Sequence, residues 1–258
     1  MLMLAYRSGI FPMADSRDDP EVFWVEPRSR AILPLQGFHC SRSLARTLRR
    51  GHFTVTCNTA FAQVMEQCAA PRTAMGSDAD GSGESWISRR IFASYVALHR
   101  LGHAHSIECW HGEQLVGGLY GVGFDRVFCG ESMFSRETDA SKVALAWLVA
   151  ALRRCGATLL DCQFITPHLA SLGTVEVSQK RYVGLLKAAQ RPYTLGAGAA
   201  LSSGVGDAAG AAFAAGAPLA LPEGFAALPD GFAALVAAAG GSSSSPGNFI
   251  AQSLTQTS

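Results

Sequence analysis

Residues His103 to Arg136 read HAHSIECWHGEQLVGGLYGVGFDRVFCGESMFSR. His103 to Trp110 reads as a strand, His111-Gly112-Glu113 as a turn, and Gln114 to Tyr120 as the returning strand of a hairpin. Phe124 to Gly130 supplies a further strand. Downstream, Asp139 or Ser141 caps a helix from Lys142 to Cys155, with Arg153 and Arg154 in the last turn, where cations suit the helix dipole, and Gly156 beyond it. Thr158 to Gln163 is a strand of the fully buried type, and Val177 to Ala189 closes the ordered part. Upstream, Ser41 caps a helix that Gly51 stops after Arg50, Phe53 to Cys57 is a short strand, and Thr59 to Cys68 and Ser88 to Leu101 read as helices. The predicted class is α+β.

Size and composition bound what such a chain does. With 258 residues, 48% of them hydrophobic, it has material for one sizeable core or two small ones. A net charge of +1 sets up no global field toward nucleic acid, so any RNA contact must come from a local basic patch. The seven cysteines (40, 57, 68, 109, 129, 155 and 162) are odd in number and form no Cys-x-x-Cys pair, which fits a reducing compartment better than a disulfide framework. Before the alanine-rich tail no run of about 18 uncharged apolar residues exists. Neither a membrane span nor a signal peptide is expected, Arg7 and Pro12 following too soon on the apolar start.

The chain changes character near residue 190, where Ala, Gly, Ser and Pro take over. Residues 191–258 are therefore expected to be a disordered tail, short of the large side chains that offset chain entropy. Phe225-Ala-Ala-Leu228 and Phe232-Ala-Ala-Leu235 repeat at a seven-residue spacing that fits a transient helix. Ala74 to Ser85 reads as a loop.

Asp161 and Gln163 carry the most suggestive chemistry. Two apart on a strand, they face the same way, and a carboxylate beside an amide fixes which way the amide points. The carbonyl oxygen is then free to orient an incoming amine. Taken alone, the pair equally describes a polar strand end bonded to nearby backbone, which is the commoner case. Glu131, at a strand end, suits a cationic ligand or a solvated cap. Gly130-Glu131-Ser132-Met133-Phe134 lacks the final glycine of a nucleophile elbow, which argues against a serine nucleophile. His103 and His105 have no convincing third metal ligand nearby in sequence and are expected to be structural. Arg42, Arg46, Arg49 and Arg50 fall on one helix stripe, and Lys142 sits at a helix start, where a cation opposes the dipole unless it answers an anion. The stripe serves equally as an RNA phosphate contact or as a solvated face.

Strand, hairpin, strand, helix and strand follow one another as in the GNAT-like (acyl-CoA N-acyltransferase-like) core. A more specific resemblance runs through the chain. Leu4-Ala5-Tyr6-Arg7-Ser8-Gly9-Ile10-Phe11-Pro12, Trp24 with Pro27-Arg28, Ser41-Arg42-Ser43-Leu44 and Trp86-Ile87-Ser88-Arg89 come first. His103 to Glu108, Leu115 to Gly121, Phe128 to Arg136, Ala140-Ser141-Lys142, Leu160 to Gln163 and Ser171-Leu172-Gly173 follow. In this order they resemble the leucyl/phenylalanyl-tRNA–protein transferase family, over roughly residues 4–188.

The resemblance implies an enzyme that moves leucine or phenylalanine, and methionine as a tolerated donor, from aminoacyl-tRNA to the N-terminal Arg or Lys of a protein, making a degradation signal. It implies a GNAT-like catalytic domain at 38–190 and a small α/β N-terminal domain, truncated here to 1–37. It assigns Gln163, oriented by Asp161, to the attacking amine, and Glu131 to the basic N-terminal residue of the acceptor. Leu119, Phe128, Met133 and Phe134 match positions near an apolar donor pocket. Trp24 and Trp86 match aromatic positions near the tRNA 3′ end, and Arg42, Arg46, Arg49, Arg50 and Lys142 would meet the tRNA. An aminoacyl ester is already activated, so neither a metal nor another cofactor is required. A monomer in the cytoplasm is expected, an organellar location staying open. The family's pattern has no counterpart for the alanine-rich tail. An acyl-CoA-dependent N-acetyltransferase and a non-catalytic tRNA- or peptide-binding relic are the competing readings. The first is disfavoured because Phe134 to Ser141 is no glycine-rich phosphate loop.

Overall fold

A computed structural model describes residues 1–71, 85–190, 227–240 and 245–255. The loop expected at 74–85 falls outside them except for Ser85. The chain opens with helix α1 (Leu2–Arg7) and a two-stranded antiparallel ribbon of β1 (Phe11–Met13) and β2 (Phe23–Val25). Then come β3 (Ser29–Ile32), α2 (Arg42–Arg50), β4 (Thr54–Cys57), α3 (Phe61–Ala69) and α4 (Arg89–Arg100). The centre is β5 (Ala104–His111), β6 (Gln114–Phe124), β7 (Val127–Ser135), α5 (Ala140–Arg154) and β8 (Leu159–Gln163). It is followed by α6 (Pro167–Ser171), β9 (Val175–Ser178), α7 (Gln179–Ala189), α8 (Ala227–Gly240) and α9 (Pro246–Thr255).

Of the expected caps, Ser41 and Gly51 hold, whereas Asp139 takes the N-cap position of α5 without a side-chain cap bond. The Ser41 hydroxyl accepts from Leu44 N–H and that of Ser88 from Ile91 N–H, each satisfying a donor left unpaired by its helix start. Gly51 ends α2 in the left-handed region at φ +62°.

Seven strands form one mixed sheet in the order β4-β5-β6-β7-β8-β3-β9. Every pairing is antiparallel except β7 with β8, which α5 connects. The N-terminal segment thus lends β3 to the main sheet, between β8 and β9. Strand alternation divides the core in two. Leu119, Phe128 and Leu160 point to the side covered by α2 and α5, while Tyr120, Cys129 and Leu159 point to the side covered by α3, α4 and α7. Helices on both faces account for β6 being buried at nearly every position. Helix α5 lies close on β6 because Gly117 carries no side chain: a Cβ there would sit 2.6 Å from that of Ala140.

Two expectations are corrected. Strand β7 does not stop at Gly130 but runs to Ser135, with a register shift at its middle. Tyr120 pairs with Ser132 and Gly121 with Gly130, so Glu131 is the extra residue of a bulge. Within 191–258, residues 227–240 and 246–255 are helical rather than disordered. The reason lies in α5, whose residues from Val143 to Leu152 are all buried. A helix apolar all round needs a cover on its outer side. Helix α8 supplies it: Phe232 meets Trp147 with ring centroids 5.4 Å apart, and Leu228, Phe232 and Leu235, which share the seven-residue repeat, are buried. Helix α9 packs on α2 and α5 and buries Ile250, Ala251 and Leu254.

Candidate active site

Strand β8 ends beside the β7 bulge, and the two bring Asp161, Gln163 and Glu131 together. Asp161 is fully buried, and Gln163 and Glu131 are nearly so. Gln163 has φ +60°, a left-handed backbone that costs a side-chain-bearing residue energy unless its surroundings impose it. They do so through Asp161 Oδ1, which accepts the Gln163 backbone N–H at 2.8 Å. The Gln163 side-chain amide Nε2 instead donates to Glu131 Oε1 at 2.9 Å. The carboxylate that orients this amide is therefore Glu131, and Asp161 fixes the backbone beneath it. Expecting Asp161 to point the amide directly is corrected on this geometry: a buried strand end can use its carboxylate on its own backbone, and the bulge delivers the second acid.

Each acid has its own surroundings. Arg30 on β3 grips Asp161 through Nε–Oδ1 at 2.9 Å and Nη2–Oδ2 at 2.6 Å, and its Nη1 donates to Gly9 O at 3.0 Å. Tyr182 OH donates to Asp161 Oδ2 at 2.9 Å. The guanidinium lies between the rings of Phe11 and Tyr182, at 4.6 and 4.5 Å from their centroids. Burial alone would lower the pKa of Arg30, but the bonds and charge of Asp161 outweigh it and keep the cation protonated. Among the described residues no cation pairs with Glu131. Tyr95 OH donates to Glu131 Oε2 at 2.9 Å, and Tyr6 bonds Tyr95. Burial raises the Glu131 carboxyl to about 7, against hydrogen bonds from Tyr6, Tyr95 and Gln163 that favour its ionised form. This acid changes charge near neutrality, as groups at reacting centres commonly do.

Gln163 and Glu131 open onto a cavity of about 780 Å³ walled by Leu119, Met133, Phe134, Leu145 and Leu160, with Trp86 and Lys142 also on its lining. Lys142 Nζ is held by Asp139 at 2.8 Å. Phe128 lies elsewhere: it is fully buried in the core, packed at Gly121, and not on the cavity wall. Trp24 is half exposed on β2 and is also off the wall. Arg42, Arg46, Arg49 and Arg50 are exposed on α2 and line a separate groove of about 490 Å³, closed on one side by Thr255 of α9. Sequence reasoning missed Arg30, Tyr6, Tyr95 and Tyr182. Arg30 left a signal, a lone cation leading the apolar Ala31-Ile32-Leu33.

A polar pair facing a cavity with an apolar wall of Leu119, Met133, Phe134, Leu145 and Leu160 suits a group-transfer enzyme that positions an activated substrate. Family models agree. Residues 32–187 match the leucyl/phenylalanyl-tRNA protein transferase family, and residues 1–28 match its N-terminal domain. The leucyl/phenylalanyl-tRNA–protein transferase of Novosphingobium aromaticivorans is 66% identical over 266 aligned residues, covering 100% of this chain and 95% of that one. The same-named proteins of Rhizorhabdus wittichii and Zymomonas mobilis are 57% and 52% identical over 78% and 75% of this chain and 77% and 69% of theirs. The Novosphingobium match spans the alanine-rich tail, which therefore has a counterpart after all. Among solved structures, a Staphylococcus epidermidis protein of unknown function is 10% identical, covers 69% of this chain and 63% of its own, and has a TM-score of 0.37. The chain belongs to the leucyl/phenylalanyl-tRNA–protein transferase family and is an aminoacyltransferase.

Proposed function

We propose that the chain transfers leucine or phenylalanine, with methionine tolerated, from aminoacyl-tRNA to the N-terminal Arg or Lys of acceptor proteins. The observation that carries this reading is the Gln163–Glu131 bond on the lining of the cavity, beside its apolar wall. With Nε2 committed to Glu131, Gln163 Oε1 is left to accept a hydrogen bond from the acceptor's α-amine. The amine attacks the ester carbonyl, an amide C–N bond forms, the ester C–O bond breaks, and the amine proton ends on the ribose oxygen. Holding amine and ester in line supplies much of the acceleration. The donor side chain occupies the cavity between Leu119, Met133 and Phe134. Such a wall separates donors differing by one methylene by only about 1–3 kcal/mol, which accounts for a tolerated methionine.

Ionised Glu131 also suits the cationic first residue of the acceptor. Trp86 offers the terminal adenine a stacking face, and Trp24 a second contact further along the tRNA. The α2 arginines and Lys142 meet its phosphates. In this reading residues 38–190 form a GNAT-like catalytic unit, supported by antiparallel β4 to β7 and the single parallel step through α5 to β8. Residues 1–37 are the small N-terminal part, and the enzyme works as a cytoplasmic monomer.

The test is transfer of labelled Leu or Phe from charged tRNA to a protein beginning with Arg. Transfer to Arg and Lys termini, and not to an Ala terminus, is expected. Folded protein that leaves the acceptor unlabelled sinks the reading. Gln163→Ala should lower kcat by about 100-fold or more, the scale of a lost positioning or proton-handling group.

A further inference from the structure

Apart from Gln163 and Glu131, three chain segments distant in sequence bring nitrogen and oxygen donors to one point. His52 follows the left-handed Gly51 that ends α2, His111 ends β5, and Glu137 lies between β7 and α5. His52 Nε2 is 3.3 Å from Glu137 Oε2 and His111 Nδ1 is 2.9 Å from Glu137 Oε1. The imidazole rings lie 4.2 Å apart, tilted by 52°. One donor atom from each residue falls within 4.8 Å of the other two. Among the described residues no other three His, Cys, Asp or Glu side chains converge this way.

We propose that His52, His111 and Glu137 form a site for one divalent transition-metal ion, zinc by preference, which fastens the β7–α5 loop at the mouth of the cavity. The ligand set argues for zinc. Two imidazoles and a carboxylate are borderline donors suited to it rather than to magnesium or calcium, which take oxygen. Bonds of about 2.0–2.1 Å around a tetrahedral ion place neighbouring ligand atoms about 3.3 Å apart; the His–Glu pairs stand at 3.3 and 2.9 Å, so small side-chain shifts would admit the ion. Glu137 is set in advance, since its carbonyl oxygen accepts from Ser135 Oγ at 2.8 Å and from Ala140 N–H at 3.2 Å. Both histidines are about half exposed, so an ion reaches them from solvent and keeps a water as fourth ligand. Glu137 also lines the cavity along with Arg136, Thr138 and Asp139. An ion joining it to the α2–β4 turn and the β5–β6 hairpin would hold that wall still.

The experiment uses tag-free full-length chain, stripped with a chelator and titrated with zinc chloride above about pH 7, where imidazoles are neutral ligands. One zinc ion per chain is expected. Affinity should fall at least about tenfold in His111→Ala and in Glu137→Gln, with circular dichroism unchanged. His52→Ala serves as a further variant should one of these fail to fold. Cobalt bound in place of zinc should show the visible bands of a four-coordinate ion, lost in the same variants. Zinc should also slow amide exchange at 136–139. No saturable binding, or binding equally strong in the folded variants, overturns the site. Binding without slower exchange at 136–139 overturns its role in fastening the loop.

Discussion

Gln163 is held from two sides, with its amide nitrogen 2.9 Å from Glu131 Oε1 and its backbone nitrogen 2.8 Å from Asp161 Oδ1. The two acids do different work. Asp161, locked to Arg30, stays buried and fixes a left-handed backbone; Glu131, on a bulge, sets the direction of the amide.

Glu131 gives the enzyme a pH signature. Its carboxyl is raised by burial to about 7, above its ordinary 4.5, so the protonated form favours the fold. That contribution is fully present below about pH 4.5 and is lost as pH rises through about 7. The loss is on the order of 3 kcal/mol. Glu131→Gln should therefore approach or exceed the parent in stability at alkaline pH and lose this pH dependence, read by urea denaturation across pH. Transfer should rise through pH 7 in the parent as the carboxylate forms, and the limb should flatten in the variant.

Arg30→Met leaves Asp161 buried without its cation. Breaking a buried pair by removing one partner costs about 3–5 kcal/mol. Arg30→Lys should recover little of that, because an ammonium cannot reproduce the two-pronged contact and the packing between Phe11 and Tyr182. Chemical denaturation midpoints decide it, a loss under 1 kcal/mol for Arg30→Met being the contrary result.

Gly121 faces the bulge. A Cβ there would lie 2.3 Å from Cys129 O and 2.5 Å from the Phe128 ring. Gly121→Ala should destabilise by about 1–3 kcal/mol. By displacing β7 it should also lower kcat more than it raises the acceptor KM. Steady-state kinetics on the folded variant separate the two effects.

Arg46→Glu and Arg49→Glu should raise the KM for aminoacyl-tRNA while leaving kcat and the acceptor KM near parental values. Each should lessen the slope of log binding against log salt by about one, the signature of a lost phosphate contact. Tight tRNA binding with an unchanged slope would make α2 a solvated face.

The sequence reports much of this molecule because its signals are local. Ser41, Gly51 and Ser88 act within one helical turn, and the hairpin from Ala104 to Phe124 announces itself in a two-residue turn. Asp161, Gln163 and Glu131 were legible as site candidates through their place among ordered segments. How they share the work was not, because it rests on a bulge that inserts one residue and on a strand, β3, whose Arg30 lies 131 positions from Asp161. Residues 227–240 and 246–255 were misread as part of a disordered tail, with at most a transient helix, because small residues form a helix once a neighbour offers an apolar face, and that face belongs to α5.

Those two closing helices bear on how the protein is handled. A chain cut at residue 190 on compositional grounds would lose Phe232 from Trp147 and leave the outer side of α5 in water. Such a clipped product should express as aggregates or bind apolar dyes, and a truncation series ending at 190, 226 and 258 would show where solubility returns.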